Sequence, residues 1–246
     1  MMELFDNRPS FLLPNKSGYR IDPVGPADAC RIIIPNGELY YAEKFFDQKT
    51  SDRTVEYFLE NDSSEQHNAD WRSVEKEELN KVIFKNITWR HDKIRMYGRE
   101  VYQPRYTAWY GDSGTDYSYS GLKMQPLPWN EGLAFIRDKV SAVAGIQFNS
   151  VLLNWYRDGD DHMGWHTDAE KELGINPIIC SVNFGATRRF QFRRIDDHAE
   201  KFELALSHGT VLIMRGETQH FWQHAVPKQR AVKQSRFNLT FRVIKN

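Results

Sequence analysis

The chain has few cysteines, no net charge and no long apolar run, and each shortage excludes a class of protein. Only Cys30 and Cys180 occur among 246 residues, far apart and without a CxxC partner. This usage fits a reducing compartment and argues against a disulfide-stapled secreted fold. The formal net charge is zero. Bulk charge therefore gives no support to a nucleic-acid partner, which would have to be met by local basic clusters.

Membrane and targeting signals are also missing from the pattern. No apolar run approaches the roughly 18 residues of a membrane-spanning helix. The first residues lack the basic start and long apolar core of a signal peptide. We therefore expect a soluble monomer without membrane contact, cytoplasmic or, in a eukaryotic cell, nuclear.

The length of the chain allows a sizeable core in one domain. Several prolines fall within residues 1–36 and predict an irregular N-terminal arm there. The remainder, 37–246, is expected to be a single catalytic domain. It divides into an N-terminal extension over 37–129 and a helix with a β core over 130–246.

Hydrophobic periodicity predicts few helices and many strands. Residues 37–41 fit a strand, a helix should follow a cap at Ser51 or Asp52, and 74–84 fit a charged helix. Asn130 opens an amphipathic helix that Gly145 ends. Period-2 patterns then predict strands at 148–156, 163–168, 178–184, 188–194, 201–206, 209–214 and 236–243. This series predicts a mainly β fold with flanking helices, a jelly roll or double-stranded β-helix.

Two histidines and one aspartate suggest a metal site. His166 and Asp168, two residues apart on a strand, can point at one ion from the same face, although most such pairs are merely solvated. A later histidine would complete a set of two imidazoles and one carboxylate. That set leaves about half of an octahedral shell open, which is how non-haem Fe(II) binds a bidentate organic acid together with O₂.

The third ligand is either His224 or His220. Arg236 follows His224 by twelve residues, and a guanidinium there can neutralise the far carboxylate of a metal-bound dicarboxylate. This spacing favours His224. We interpret His220, His208 and His162 as structural or surface residues.

Six segments extend this pattern, in order along the chain: 154–156 (NWY), 166–168 (HTD), 181–187 (SVNFGAT), 208–214 (HGTVLIM), 222–224 (WQH) and 236–242 (RFNLTFR). Together they resemble the AlkB family of Fe(II)- and 2-oxoglutarate-dependent dioxygenases, nearest to its double-strand-active DNA repair members. The resemblance covers 87–243. It implies that Fe(II) binds His166, Asp168 and His224, and that O₂ and 2-oxoglutarate are co-substrates.

The resemblance also implies roles for the residues around the metal. Arg236 would hold the distal carboxylate of 2-oxoglutarate, with Asn154 and Tyr156 bonding from another side. Asn238 and Arg242 share the strand parity of Arg236 and would also face inward, with Arg242 near the metal-bound end of the co-substrate.

On the substrate side, Glu170, two residues after Asp168, would read the damaged base. Residues of the extension would form a lid, in which Tyr119, with Tyr117 beside it, would stack on the flipped base. Tyr97, at a glycine turn between arginines, resembles a wedge that fills the gap in a duplex. Trp155, between Asn154 and Tyr156, departs from the smaller or basic residue that is common there, which bears on lesion preference.

The implied reaction is oxidative demethylation of bases such as 1-methyladenine and 3-methylcytosine in DNA, single- or double-stranded, releasing formaldehyde and succinate. Such lesions lose pairing energy and are cheaper to extrude. One alternative is an oxygenase for RNA, protein or a small molecule. Others are a nucleic-acid binding module without activity and a structural zinc site, for which His₂Asp is a poor set.

Cations elsewhere in the chain are further candidates for phosphate contacts: Arg188, Arg189, Arg193, Arg194, Lys228 and Lys233. Because a run of charge is usually a solvated face, no single one is assigned.

Overall fold

The protein is described by a computed structural model that covers residues 11, 13–25, 29–62, 74, 78–96, 99–119 and 122–245. Its elements, in chain order, are β1 (Arg20–Pro23), β2 (Ala29–Ile34), β3 (Gly37–Ala42), α1 (Gln48–Leu59), β4 (Asn61–Asp62), β5 (Ile83–Phe84), β6 (Lys93–Met96), β7 (Arg99–Tyr102), β8 (Tyr106–Gly111), β9 (Tyr117–Tyr119), β10 (Leu122–Met124), α2 (Glu131–Ala144), β11 (Ser150–Tyr156), β12 (Met163–His166), β13 (Ile179–Gly185), β14 (Arg188–Arg194), β15 (Lys201–Leu206), β16 (Val211–Arg215), α3 (Thr218–Phe221), β17 (Trp222–Val226) and β18 (Arg236–Arg242).

Two antiparallel sheets form the centre of the molecule. The larger has eight strands in the order β1-β2-β3-β16-β13-β18-β11-β8, and the smaller has four in the order β12-β17-β14-β15. Three two-stranded ribbons, β4–β5, β6–β7 and β9–β10, lie outside these sheets. The mainly β jelly-roll prediction is confirmed.

Alternation along the central strands separates two apolar cores. Every second residue of β18 is apolar and packs with α1 and α2: Phe237, Leu239 and Phe241. The residues between them are polar, and Asn238, Thr240 and Arg242 instead line a cavity between the two sheets. A second apolar cluster fills the rest of that space between the sheets. Because side chains of a strand alternate between faces, the polar string of β18 forms one wall of that cavity.

Helix α2 has the boundaries that its caps predict. The side chain of Asn130 accepts a hydrogen bond from the Leu133 backbone N–H, and Gly145 ends the helix with a left-handed φ of 70°. Its apolar face, with Leu133, Ile136 and Val140, is buried on the larger sheet. Among the described residues, no helix has the length and apolar character that crossing a membrane requires.

Several secondary-structure predictions were wrong. Helix α1 begins at Gln48 after the cap Asp47, not after Ser51 or Asp52, and the strand predicted at 163–168 ends at His166. The predicted irregular arm contains β1 and β2, whose residues Cys30, Ile32 and Ile34 alternate inward. Residues 79–84 of the predicted charged helix form a 3₁₀ turn and β5 instead. Strand β17 was not predicted, because it follows the four-residue helix α3 without a turn between them. The division at residue 129 stays a prediction.

Candidate iron and co-substrate site

Three side chains that can bind a metal converge at the edge of the smaller sheet. His166 ends β12 and pairs in register with His224 on β17, so their rings lie 4.2 Å apart. Ligand atoms of His166, Asp168 and His224 all lie within 4.8 Å of one another. The structure thus brings together the three residues that the sequence singles out, on two adjacent strands and the turn after one of them.

Asp168 reaches the cluster by a different route from the one predicted. The strand ends at His166, so shared strand parity does not orient the carboxylate. Instead the backbone N–H of Asp168 donates to Gln219 Oε1 at 2.8 Å, and Arg242 Nη2 donates to Asp168 Oδ1 at 2.8 Å. Both partners are almost fully buried. Distant residues therefore fix this carboxylate, and neither bond could be predicted from local spacing.

The protonation states of the cluster suit a divalent cation. Burial lowers the pKa of His224 to about 3, with the neighbouring His166 acting in the same direction, and burial also lowers the pKa of His166. Burial alone would raise the pKa of Asp168, but the charge of Arg242 and its hydrogen bond to the carboxylate lower it to about 2. At neutral pH the cluster is two neutral imidazoles and a carboxylate, the forms that bind metal.

The two ring nitrogens of His166 are not equivalent. Its Nδ1 lies 2.8 Å from the carbonyl oxygen of Gly164. A carbonyl can only accept, so Nδ1 carries the proton and Nε2 presents its lone pair, as metal-binding histidines do. His220, the alternative third ligand, is exposed on α3 and lies outside the cluster.

Arg236 is a buried cation that has unpaired hydrogen-bond donors. It is 1% exposed, and one of its Nη nitrogens donates to Asn183 Oδ1. Its Nε and Nη1 have no hydrogen-bond partner in the described part of the chain. Burial lowers the pKa of Arg236 to about 10, which leaves it charged at neutral pH. A buried guanidinium with two open donors fits an incoming carboxylate.

Asn154, Tyr156 and Asn238 surround this cation on the same face of the sheet. The guanidinium carbon of Arg236 lies 5.0 Å from the Tyr156 ring centre. Asn154 Nδ2 donates to Asn238 Oδ1 at 3.4 Å. Asn238 Nδ2 in turn donates to Ser181 Oγ at 2.7 Å. These contacts keep the amides oriented, so the predicted co-substrate residues form one connected wall.

A cavity of about 490 Å³, counting its open mouth, joins the metal cluster to this wall. Its polar lining includes Arg105, Asn154, Tyr156, Ser181 and Asn238, and its apolar lining includes Leu152, Met163, Phe190, Met214 and Val226. Arg236 lies behind Tyr156 and is not in the lining.

Sequence reasoning missed Arg105 and Asn183 as members of the site. Arg105 Nε donates to Asn154 Oδ1 at 2.7 Å, and its side chain is buried next to the fully buried strand β8. Asn183, like Ser181, is a polar residue between apolar neighbours of β13. That alternation was the available signal for both Ser181 and Asn183, because a polar position on a buried strand requires a partner.

The predicted base-reading residues are less fully described. Tyr97 lies outside the described residues, as do the side chains of Tyr117 and Tyr119, whose backbone forms β9. Glu170 is half-buried directly before a 3₁₀ turn and is not in the cavity lining. Their roles stay predictions.

Two residues lie in environments other than those that the sequence suggested. Trp155 is fully buried on the helix side of β11, where its Nε1 donates to Ser235 Oγ at 2.9 Å, so it does not lie beside the substrate cavity. Arg188 is 1% exposed and donates to the carbonyl oxygens of Asp158, Asp161 and Pro227, so it cannot meet phosphate.

Comparison with known proteins agrees with this geometry. The model of the 2OG-Fe(II) oxygenase superfamily matches residues 38–242. Bovine DNA oxidative demethylase ALKBH2 is 43% identical over 159 residues, which are 62% of this chain and 57% of that protein. Mouse alpha-ketoglutarate-dependent dioxygenase alkB homolog 3 is 40% identical over 188 residues, which are 72% of this chain and 62% of that protein. The chain thus spans less than two thirds of these relatives.

A solved structure supports the fold. OsALKBH1 superposes with a TM-score of 0.51 at 14% identity, covering 91% of this chain and 100% of that chain. A jelly roll that gathers two histidines and an aspartate is the arrangement of non-haem iron enzymes. The chain belongs to the 2OG-Fe(II) oxygenase superfamily and, within it, to the AlkB family. Membership implies Fe(II), 2-oxoglutarate and O₂, and the His–Asp–His cluster fits the metal.

Proposed function

We propose that this protein oxidatively demethylates N-alkylated bases in DNA, of the 1-methyladenine and 3-methylcytosine type, and so repairs alkylation damage. One observation carries the proposal: the His166–Asp168–His224 cluster opens into a cavity lined by Tyr156, whose ring packs against a buried arginine that has open donors. The names of the ALKBH2 relatives supply the substrate class. Single- and double-stranded DNA are both candidate substrates.

Arg236 would bind the distal carboxylate of 2-oxoglutarate through its open Nε and Nη1. Two parallel N–H donors match a carboxylate in a way that a lysine cannot. Tyr156, against the guanidinium, would close the other side of the same carboxylate. Asn154 would orient the co-substrate from the neighbouring strand.

His166, Asp168 and His224 would hold the iron. Bound Fe(II) with 2-oxoglutarate and O₂ supplies the oxidising chemistry, in which one oxygen atom enters succinate and the other enters the N-methyl C–H bond. The hydroxymethyl group then leaves its nitrogen as formaldehyde, and the base keeps a proton. Methylated base, 2-oxoglutarate and O₂ thus give base, formaldehyde, succinate and CO₂.

Arg242 would keep the metal carboxylate oriented and charged. It already donates to Asp168 Oδ1, which leaves Oδ2 for the ion. Apolar side chains on the opposite wall, among them Phe190 and Val226, would limit water around the reacting carbon.

The decisive test measures formaldehyde and succinate from defined methylated oligomers: duplex DNA, single-stranded DNA and RNA of one sequence. We expect both products in equal amounts from at least one DNA form. Asp168→Ala should abolish both, whereas Asp160→Ala, at an exposed aspartate, should not. Formaldehyde from RNA alone, or succinate that no nucleic acid stimulates, would refute DNA repair.

Arg236→Lys tests the clamp separately. It keeps the charge but loses the fork, so we expect 2-oxoglutarate to bind about 10- to 100-fold more weakly to the Mn(II)-loaded protein. Mn(II) affinity should not change.

We also propose that the protein is a monomer located in the cytoplasm or, in a eukaryotic cell, in the nucleus.

A further inference from the structure

We propose that His208 is a positioning residue for the co-substrate clamp: it holds the end of β13 that carries Asn183, and so sets the affinity of Arg236 for 2-oxoglutarate. This inference rests on the role proposed for Arg236. His208 lies on the turn between β15 and β16 and belongs neither to the His166–Asp168–His224 cluster nor to the lining of the cavity.

Among the described residues, no strand pairs with the end of β13 on the side of β16. Its pairing with β16 covers only Ile179 to Val182. Beyond that point the 207–210 turn replaces the strand. The Asn183 N–H donates to Thr210 O at 2.9 Å, and the Gly209 N–H donates to Asn183 O at 2.8 Å. The outermost bond is different, because the Gly185 N–H donates to a side-chain atom, His208 Nδ1, at 2.8 Å.

The other side of the same segment carries the clamp. Asn183 pairs with Asn238 and Gly185 pairs with Arg236 across β13 and β18. Gly185 has φ +83°, and a Cβ on it would lie 2.3 Å from Ser235 O. With the backbones this close, a shift of Gly185 must move Ser235 or Arg236. Asn183 Oδ1 also accepts directly from Arg236.

The hydrogen bonds define the tautomer of His208. Because Nδ1 accepts from Gly185, the proton of the neutral ring lies on Nε2, which is 3.1 Å from Asp52 Oδ1 on α1. His208 therefore bridges α1 and the end of β13. An acceptor at the Nδ1 position is what the segment requires, and the Asp52 contact orients the ring.

The turn itself is anchored without His208. The Phe46 N–H donates to Gly209 O at 3.1 Å, and Thr210 Oγ1 donates to Glu43 O at 3.0 Å. Loss of the imidazole acceptor should leave this turn in place and release only Gly185 and its neighbours. The expected defect is therefore confined to the clamp.

Asparagine and glutamine each reproduce one of the two ring nitrogens of histidine. The Oδ1 of His208→Asn can take the place of Nδ1 and still accept from Gly185. The amide of His208→Gln reaches towards Asp52 and leaves Gly185 without its acceptor. One lost neutral hydrogen bond is worth about 0.5–1.5 kcal/mol, which corresponds to roughly two- to tenfold in an equilibrium constant.

The experiment measures binding of 2-oxoglutarate to the Mn(II)-loaded protein under argon, and KM and kcat for succinate formation in air. We expect His208→Gln to raise Kd and KM roughly two- to tenfold, with kcat at saturation and Mn(II) affinity unchanged. His208→Asn should restore binding. His198→Gln, at an exposed histidine, is the matched control.

Two outcomes overturn the inference. Either His208→Gln binds 2-oxoglutarate like the parent protein, or His208→Asn is as weak as His208→Gln, which would mean that bulk and not the acceptor matters. Arg236→Lys separates this from failure of the clamp. If that variant binds 2-oxoglutarate normally, Arg236 does not anchor the co-substrate, and the role proposed for Arg236 falls together with the inference about His208. If it is weak while His208→Gln is not, only the inference falls.

Discussion

Acidification should destabilise the metal-free protein through the buried, neutral His224. The pKa of this residue is lowered by burial from 6.5 to about 3. As the pH falls below about 6.5, the unfolded chain takes up a proton on this imidazole and the folded protein does not. Stability that is fully present above the unfolded pKa is therefore lost progressively until the pH reaches the folded pKa.

The magnitude follows from the same two values. One such group changes the free energy of unfolding by up to about 1.4 kcal/mol per pH unit, or about 2 kcal/mol between roughly pH 7.5 and 5. His166, whose pKa is lowered for the same reason, acts in the same direction. Asp168, with its pKa lowered from 3.8, adds nothing until the pH falls below about 4.

Denaturant unfolding of the metal-free protein in chelator, at several pH values, measures this loss. His224→Leu removes the titrating group, so its free energy of unfolding should fall less steeply with decreasing pH than that of the parent. The difference in slope corresponds to about one proton taken up on unfolding. His91, whose pKa burial also lowers, remains in both proteins and cancels in the difference. Equal slopes for the two proteins, or a parent that gains stability on acidification, would refute the buried neutral imidazole.

Two further predictions concern residues that support the site. Gln219→Leu should weaken Mn(II) binding about 10- to 100-fold in a calorimetric titration, because the backbone N–H of Asp168 loses its acceptor, whereas His220→Gln on the same helix should not. Trp155→Phe should cost about 1–3 kcal/mol of unfolding free energy without changing the ratio of activities on 1-methyladenine and 3-methylcytosine, because the indole donates to Ser235 on the helix side of the sheet. A changed lesion ratio would contradict that placement.

Strands whose two faces differ sharply could be predicted from the sequence. In β18, polar and apolar residues alternate without exception, so the inward direction of Arg236, Asn238 and Arg242 followed from the pattern. The boundaries of β14 and β15 were predicted without error for the same reason. Of the two histidines in the cluster, only His166 lies on a predicted strand, and His224 was chosen by its spacing to Arg236.

Contacts between distant segments could not be predicted. Asp168 is oriented by Gln219 and Arg242, which lie 51 and 74 residues later in the chain. Arg188 looks like a surface cation until the carbonyl oxygens around it are located. Likewise His208 was interpreted as structural or surface, because nothing in its local sequence points to Gly185. Polar partners of buried residues are a property of the assembled fold.

The order of the strands in the larger sheet has a consequence for biosynthesis. Strand β18 lies between β13 and β11 and pairs with them along six and seven residues respectively, yet it follows both in the chain. A ribosome delivers the N-terminal segments first. Until residues 236–242 emerge, β11 and β13 lack their common neighbour, and Arg236 and Arg242 are absent. A chain without residues 236–242 therefore lacks the strand that contributes Asn238, Thr240 and Arg242 to the cavity.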